Sequence, residues 1–153
     1  NIIIKDSVRI DKSKIKKLKL PNSPIIGELQ RGKDVKHNGK TIKSKDVTYT
    51  QEGKKLTIIL DTAMNQRAID LAKDADMLIC ESTYAAEEQE RAREYKHLTT
   101  TDAATIAKKA KVKHLAIVHI SQMHAHRTSH LLKEAKKVFP KSTLPDDLAV
   151  LIV

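Results

Sequence analysis

Three polar residues each stand one step beyond a short apolar run. Asp61 follows residues 56–60, Glu81 follows residues 77–80, and His119 follows residues 115–118. In α/β enzymes the side chains that do chemistry sit just past the carboxyl ends of the strands. A carboxylate in that place is costly to desolvate unless a metal or a hydrogen-bond donor meets it. Three neighbouring strands that end this way predict one shared site. A strand-end Asp also serves as a turn or helix cap, and Thr62 after Asp61 suits that role too. Histidines gather late in the chain, at His119, His124, His126 and His130, with His97 earlier. Imidazole is a favoured zinc ligand, and its second nitrogen needs an orienting partner. His119, His124 and His126 could form a self-contained site, but no Cys or carboxylate lies among them to complete it. His124, His126 and His130 read as surface residues.

The elements that must position these groups divide near residue 54. Beyond it, apolar runs alternate with helical spacing. Residues 56–60, 77–80 and 115–118 read as strands, and 148–153 as a closing strand. Residues 66–74, 85–94, 103–110 and 129–139 read as helices, with Thr101-Asp102 as a cap and Pro140 as a stop. Such alternation argues for an α/β sheet with helices covering it. The earlier stretch is different. Residues 2–4 form a short strand, 12–20 a basic helical stretch, Pro21 to Pro24 a break, and Asn38-Gly39 a tight hairpin turn. It offers few core residues and reads as an arm, 12–50, projecting from an α/β body, 54–153.

Charge is concentrated in that arm. The net charge is +10. From Arg9 to Asp46 twelve Lys or Arg face four acids, which places +8 there. A block so lopsided suits a polyphosphate partner, although a Lys-rich solvated surface has the same composition. Lys14, Lys16, Lys17, Lys19, Arg31 and Lys33 are the candidate RNA-binding residues. With one Phe, three Tyr and no Trp, the core must be built from aliphatic residues. The single Cys80 excludes an internal disulfide framework and fits a reducing cytoplasm. No run approaches the roughly 18 apolar residues of a membrane span, so no membrane partner is expected. An apolar run starting directly at Asn1 reads as a fragment.

Several segments, in order, resemble the ribonuclease Z family of metallo-β-lactamase-fold endonucleases. Leu60-Asp61-Thr62 resembles that family's Gly-Asp-Thr, and Cys80-Glu81-Ser82-Thr83-Tyr84 its His-Glu-Ala-Thr-Phe. Lys96-His97-Leu98-Thr99 is similar to Gly-His-Ser-Thr, and Val118-His119-Ile120-Ser121 to Thr-His-Ile-Ser. Residues 23–35 resemble the end of the family's projecting arm. The resemblance implies the C-terminal half of a four-layer αββα sandwich that removes the 3′ trailer from precursor transfer RNA. It implies two zinc ions, with Asp61 bridging them and His119 ligating one. His97 would face the scissile phosphate, and Glu81 would hold its tautomer. The family's His-x-His-x-Asp-His motif does not occur in these residues. The expected partners are therefore precursor transfer RNA and a missing N-terminal half or companion chain, with a homodimer as the assembly. Departures at Leu60, Cys80, Leu98 and Met123 leave open a phosphodiesterase of different substrate, or a non-catalytic RNA-binding subunit.

Overall fold

A computed structural model describes residues 1–153. Two compact units make up the chain, one of Asn1–Ile3 with Lys54–Val153 and one of Ile4–Gly53. In chain order, β1 (Ile2–Ile4) opens the first unit's sheet. The second unit then holds β2 (Ser7–Ile10), α1 (Lys12–Lys17), α2 (Pro24–Gln30), β3 (Val35–His37), β4 (Lys40–Ile42), α3 (Ser44–Val47) and β5 (Thr48–Gln51). The first unit resumes with β6 (Lys54–Ile59), α4 (Gln66–Ala72), β7 (Met77–Glu81), α5 (Gln89–Tyr95), α6 (Thr100–Lys109), β8 (His114–Val118), α7 (Thr128–Val138) and β9 (Ser142–Thr143). Two 3-10 turns, Ala86–Glu88 and Gln122–Arg127, precede α5 and α7.

The smaller unit is built from two antiparallel hairpins and three short helices. Its β2 pairs β5, from Ser7 with Gln51 to Ile10 with Thr48. Its β3 pairs β4 across the expected turn, where Asn38 and Gly39 both take positive φ. Two central residues in that conformation match the turn that twists with its strands. Asp11 caps α1 by accepting from the amides of Ser13 and Lys14. Pro24 stands at the start of α2, where its missing N–H costs nothing. The segment expected to break structure therefore begins a helix. The unit also has a core of its own: Ile15, Leu20, Leu29 and Val47 are buried, with Ile10, Ile25, Ile26, Val35 and Ile42 packed against them.

The larger unit carries a five-stranded sheet in the order β1-β6-β7-β8-β9. Strands β6 to β9 run parallel, because each connection crosses through a helix. Register aligns Ile59 with Cys80 and Cys80 with Ile117, and Thr57 with Leu78 and Leu78 with Leu115. These residues share one face by the period of two. That face packs on α4, α6 and α7 through Ala68, Ala72, Ala103, Ala104, Ile106, Ala107 and Ala135. So many alanines let the helices approach the sheet closely. Thr99, and not Thr101-Asp102, caps α6: its hydroxyl accepts from the Asp102 amide while Asp102 accepts from the Thr99 amide. At the opposite end of the strands, Asp76 accepts from the Lys55 amide at 2.8 Å and from Lys113 Nζ at 2.8 Å. The bond to Lys113 is the main reason its carboxyl is held below the usual carboxylate range.

The expected closing strand at 148–153 does not form. Leu148, Val150 and Ile152 are 101 %, 88 % and 89 % exposed, and the sheet's edge is taken by β9 instead. An apolar alternation becomes a strand only where a neighbour supplies ladder partners. No helix is long and apolar enough to cross a membrane.

Leu78 lies in the central strand and is fully buried. Leu78→Ala should destabilise the protein by about 2–5 kcal/mol, read as a lower urea midpoint with the folded far-UV spectrum retained. A loss below 1 kcal/mol, on the order of a surface change, would contradict this account of the core.

Candidate metal and phosphate site

All four candidate residues gather at the carboxyl edge of the parallel sheet. Asp61 lies two residues past β6, Glu81 ends β7, and His119 is the first residue past β8. His97 follows α5, whose C-cap Lys96 turns the chain with φ +59°. Asp61 and His119 themselves have φ +47° and +56°. Non-glycine residues pay on the order of 1 kcal/mol for that conformation, and here it turns both side chains out of the strand direction. Backbone bonds tie the loops together: Ser82 N–H donates to the Val118 carbonyl at 2.9 Å, and Ser121 N–H to the Thr83 carbonyl at 3.1 Å.

The centre is Glu81. It is fully buried, and its carboxylate is met by donors from three loops. The amide of Thr62 donates to Oε1 at 2.7 Å, and the Thr83 hydroxyl to Oε2 at 2.8 Å. The Leu98 amide reaches Oε2 at 3.2 Å, and His97 Nδ1 stands 3.1 Å from both oxygens. These partners answer the desolvation cost that made a buried strand-end carboxylate notable.

Thr83 is the residue the sequence reading passed over. Its Oγ1 lies 3.3 Å from His97 Nδ1 and 3.1 Å from His119 Nδ1, besides its bond to Glu81. A hydroxyl has one proton to give, and Glu81 takes it at the shortest distance. The lone pairs of Thr83 then accept from Nδ1–H of His119. That leaves His119 Nε2 unprotonated and able to ligate a metal. The same logic at Glu81 places a proton on His97 Nδ1 and frees His97 Nε2. The signals for Thr83 in the sequence were its place two residues beyond Glu81 and its match to the Thr of the resembling motif.

Asp61 and His119 are exposed at 70 % and 51 % of their side chains, with Asp61 Oδ1 3.5 Å from His119 Nδ1. Ligand atoms of Asp61, His97 and His119 all fall within 4.8 Å of one another. Asp61 and His119 supply a carboxylate and an imidazole, donors that zinc accepts, with His97 close beside them. The rings of His97 and His119 lie 5.6 Å apart, and Tyr84 meets His97 edge-on at 6.2 Å. The residues present therefore fit a metal, while supplying only part of a complete coordination shell.

The other expectations resolve differently. His124 is no surface residue: it is 4 % exposed, with Nε2 2.5 Å from Glu88 Oε2. That partner draws it into the interior, so it does not join His119 and His126 in a site. His130 is exposed but bonded to Glu134. In the smaller unit Lys16, Lys17 and Lys19 are exposed, and Lys14 makes a loose 3.8 Å pair with Asp11. Arg31 and Lys33 both pair with Glu28, whose carboxyl is held below its usual range chiefly by Arg31.

The chain is 41 % identical over 152 residues to a protein named ribonuclease Z from Saccharolobus solfataricus, covering 99 % of this chain and 51 % of that one. It is 39 % identical over 141 residues to ribonuclease Z from Lactiplantibacillus plantarum, covering 90 % of this chain and 45 % of the relative. The chain thus spans about half the length of the curated relatives it matches. No family model matches it. Among solved structures, the metallo-β-lactamase-fold protein YhfI from Bacillus subtilis superposes with a TM-score of 0.52 and 24 % identity. That match covers 62 % of this chain and 38 % of that one.

Thr83→Val keeps the side chain's shape and removes its hydroxyl. Nitrogen NMR of the ring should show His119 losing its preference for the Nδ1-protonated tautomer, and zinc affinity should fall about ten-fold. An unchanged tautomer and affinity would show that Thr83 does not orient His119.

Proposed function

We propose that this chain, a relative of ribonuclease Z with the metallo-β-lactamase fold, provides one half of a zinc-dependent endoribonuclease. On this reading the enzyme removes the 3′ trailer from precursor transfer RNA by phosphodiester hydrolysis. The observation that carries it is the Asp61, Glu81, Thr83, His97 and His119 constellation at one sheet edge. Two imidazoles with their Nδ1 edges held by Glu81 and Thr83 turn their Nε2 atoms to separate tasks. Asp61 and His119 hold metal. His97 Nε2 faces the scissile phosphate, where it stabilises charge and passes a proton to the leaving oxygen. Glu81 keeps the His97 ring in place through that proton transfer. Bound zinc supplies a water of lowered pKa and neutralises charge on the phosphate.

Asp61 and His119 alone fall short of the three protein ligands a catalytic zinc takes. The remaining ligands come from the part of the relatives that this sequence does not match. The sheet supports such a complement. Ile58, on the face of β6 opposite to that of Thr57 and Ile59, is 43 % exposed, an apolar position suited to a second sheet. A cytoplasmic location and a homodimer belong to the same reading.

With the complementary half present, Asp61→Ala and His119→Ala should abolish both bound zinc and cleavage. His97→Ala should keep its zinc, measured by atomic emission, yet lose roughly a hundred-fold in turnover. Zinc loss in the His97 variant would place that residue among the ligands instead. Robust metal-dependent cleavage by the 153-residue chain alone would sink the half-enzyme reading.

The smaller unit is the RNA-gripping arm in this proposal. Its lysines neutralise phosphates and release counterions, so affinity for precursor transfer RNA should fall steeply with salt. Replacing Lys14, Lys16, Lys17 and Lys19 with Ala should flatten the slope of log affinity against log salt. Different transfer RNAs should lose affinity alike, because backbone contacts read no bases. Titrations at several salt concentrations test this. An unaltered slope would mean these lysines form an ordinary solvated face.

A further inference from the structure

A second cluster of ligand-type side chains lies on α7 and the Ala86–Glu88 turn. Ligand atoms of Glu87, His130 and Glu134 all fall within 4.8 Å of one another. His130 and Glu134 are one helical turn apart on α7, with His130 Nε2 3.0 Å from Glu134 Oε1. Glu134 is 7 % exposed. Its other oxygen, Oε2, accepts from the Ala86 amide at 3.0 Å and from the Thr100 hydroxyl at 2.6 Å. The carboxylate is thus oriented from behind, with Oε1 aimed at His130. Oriented ligands of this kind are what metal sites require.

Glu87 brings a second carboxyl beside that of Glu134. Its Oε1 accepts from Arg127 Nη2 at 3.0 Å. Two adjacent carboxylates, one of them buried, repel each other unless cations lie close. Arg127 meets Glu87 and His130 meets Glu134, and a cation between the two carboxylates would offset the repulsion that remains. The turn's own amide and Arg127 hold the Glu87 carboxyl below its usual range.

We propose that Glu87, His130 and Glu134 form a second zinc site, separate from the one that Asp61 and His119 enter. One imidazole nitrogen and two carboxylate oxygens are a set zinc accepts, with water completing the tetrahedron. Glu87 and His130 are half exposed, so the ion enters from solvent. Its role is to brace. It ties the Ala86–Glu88 turn to α7, while Glu134 also reaches the first turn of α6 through Thr100. The segment between His119 and α7 is held at the same turn by His124 on Glu88. Zinc here would stiffen the path that carries His119. The site stands on these side chains alone and does not depend on the proposed nuclease activity.

The test uses zinc alone as the probe, on the protein and on its Asp61→Ala, His119→Ala double variant. Calorimetry and competition with a chromophoric chelator should find one zinc per chain remaining in the double variant. Adding Glu87→Gln or His130→Ala should weaken that zinc about ten-fold or more. Both altered side chains are exposed, so the far-UV spectrum should not change. Zinc should raise the melting temperature of the double variant and fail to raise that of the triple variants. No uptake by the double variant, or equal affinity after His130→Ala, would overturn the proposal and leave a plain His–Glu pair.

Discussion

The larger unit depends on one buried charge. Glu81 ends the central strand with no solvent contact, and a lone carboxylate there would unfold its surroundings or take up a proton. It is stable because Thr62, Thr83, His97 and Leu98 all direct donors at it. Those donors come from the loops after β6, β7 and α5. The carboxylate therefore does for the loops what the aliphatic core does for the sheet. It makes their relative positions a condition of folding, since removing any one donor leaves a buried acceptor short.

What the loops carry is less protected. Asp61 and His119 stand in solvent with left-handed backbones, held in place by the buried groups beneath them. The strain and the exposure have the same source. A side chain that must face a metal or a phosphate cannot also lie in the strand direction and pack. Thr83 links the two levels, bonded to Glu81 below and to the imidazoles of His97 and His119 above. The hydroxyl leaves Nε2 of His119 open, as Glu81 does for His97.

The smaller unit follows a different logic. Its core centres on Ile15, Leu20, Leu29 and Val47, and caps and turns add local constraints to that burial. Asp11 at α1, Pro24 at α2 and Asn38-Gly39 at the hairpin each settle a local geometry. With the backbone settled locally, its surface is free to carry a dense positive charge. Glu28 moderates Arg31 and Lys33, whereas Lys16, Lys17 and Lys19 stay exposed.

By itself the sequence determined what local periodicity and single residues can encode. The strands at 56–60, 77–80 and 115–118, the helices between them, the hairpin turn and the strand-end placement of Asp61, Glu81 and His119 were all legible, because each depends on neighbours a few positions away. Tertiary structure decided the rest. Residues 148–153 alternate like a strand but have no ladder partner, so they form none. His124 looked like a surface histidine until Glu88, 36 positions earlier, gave it a buried bond. Thr83 touches His119 across the same separation, and nothing in its neighbourhood marks that contact. Hydrogen bonds between loops pair residues that the chain keeps far apart, and only packing of the sheet and its helices brings their atoms within reach.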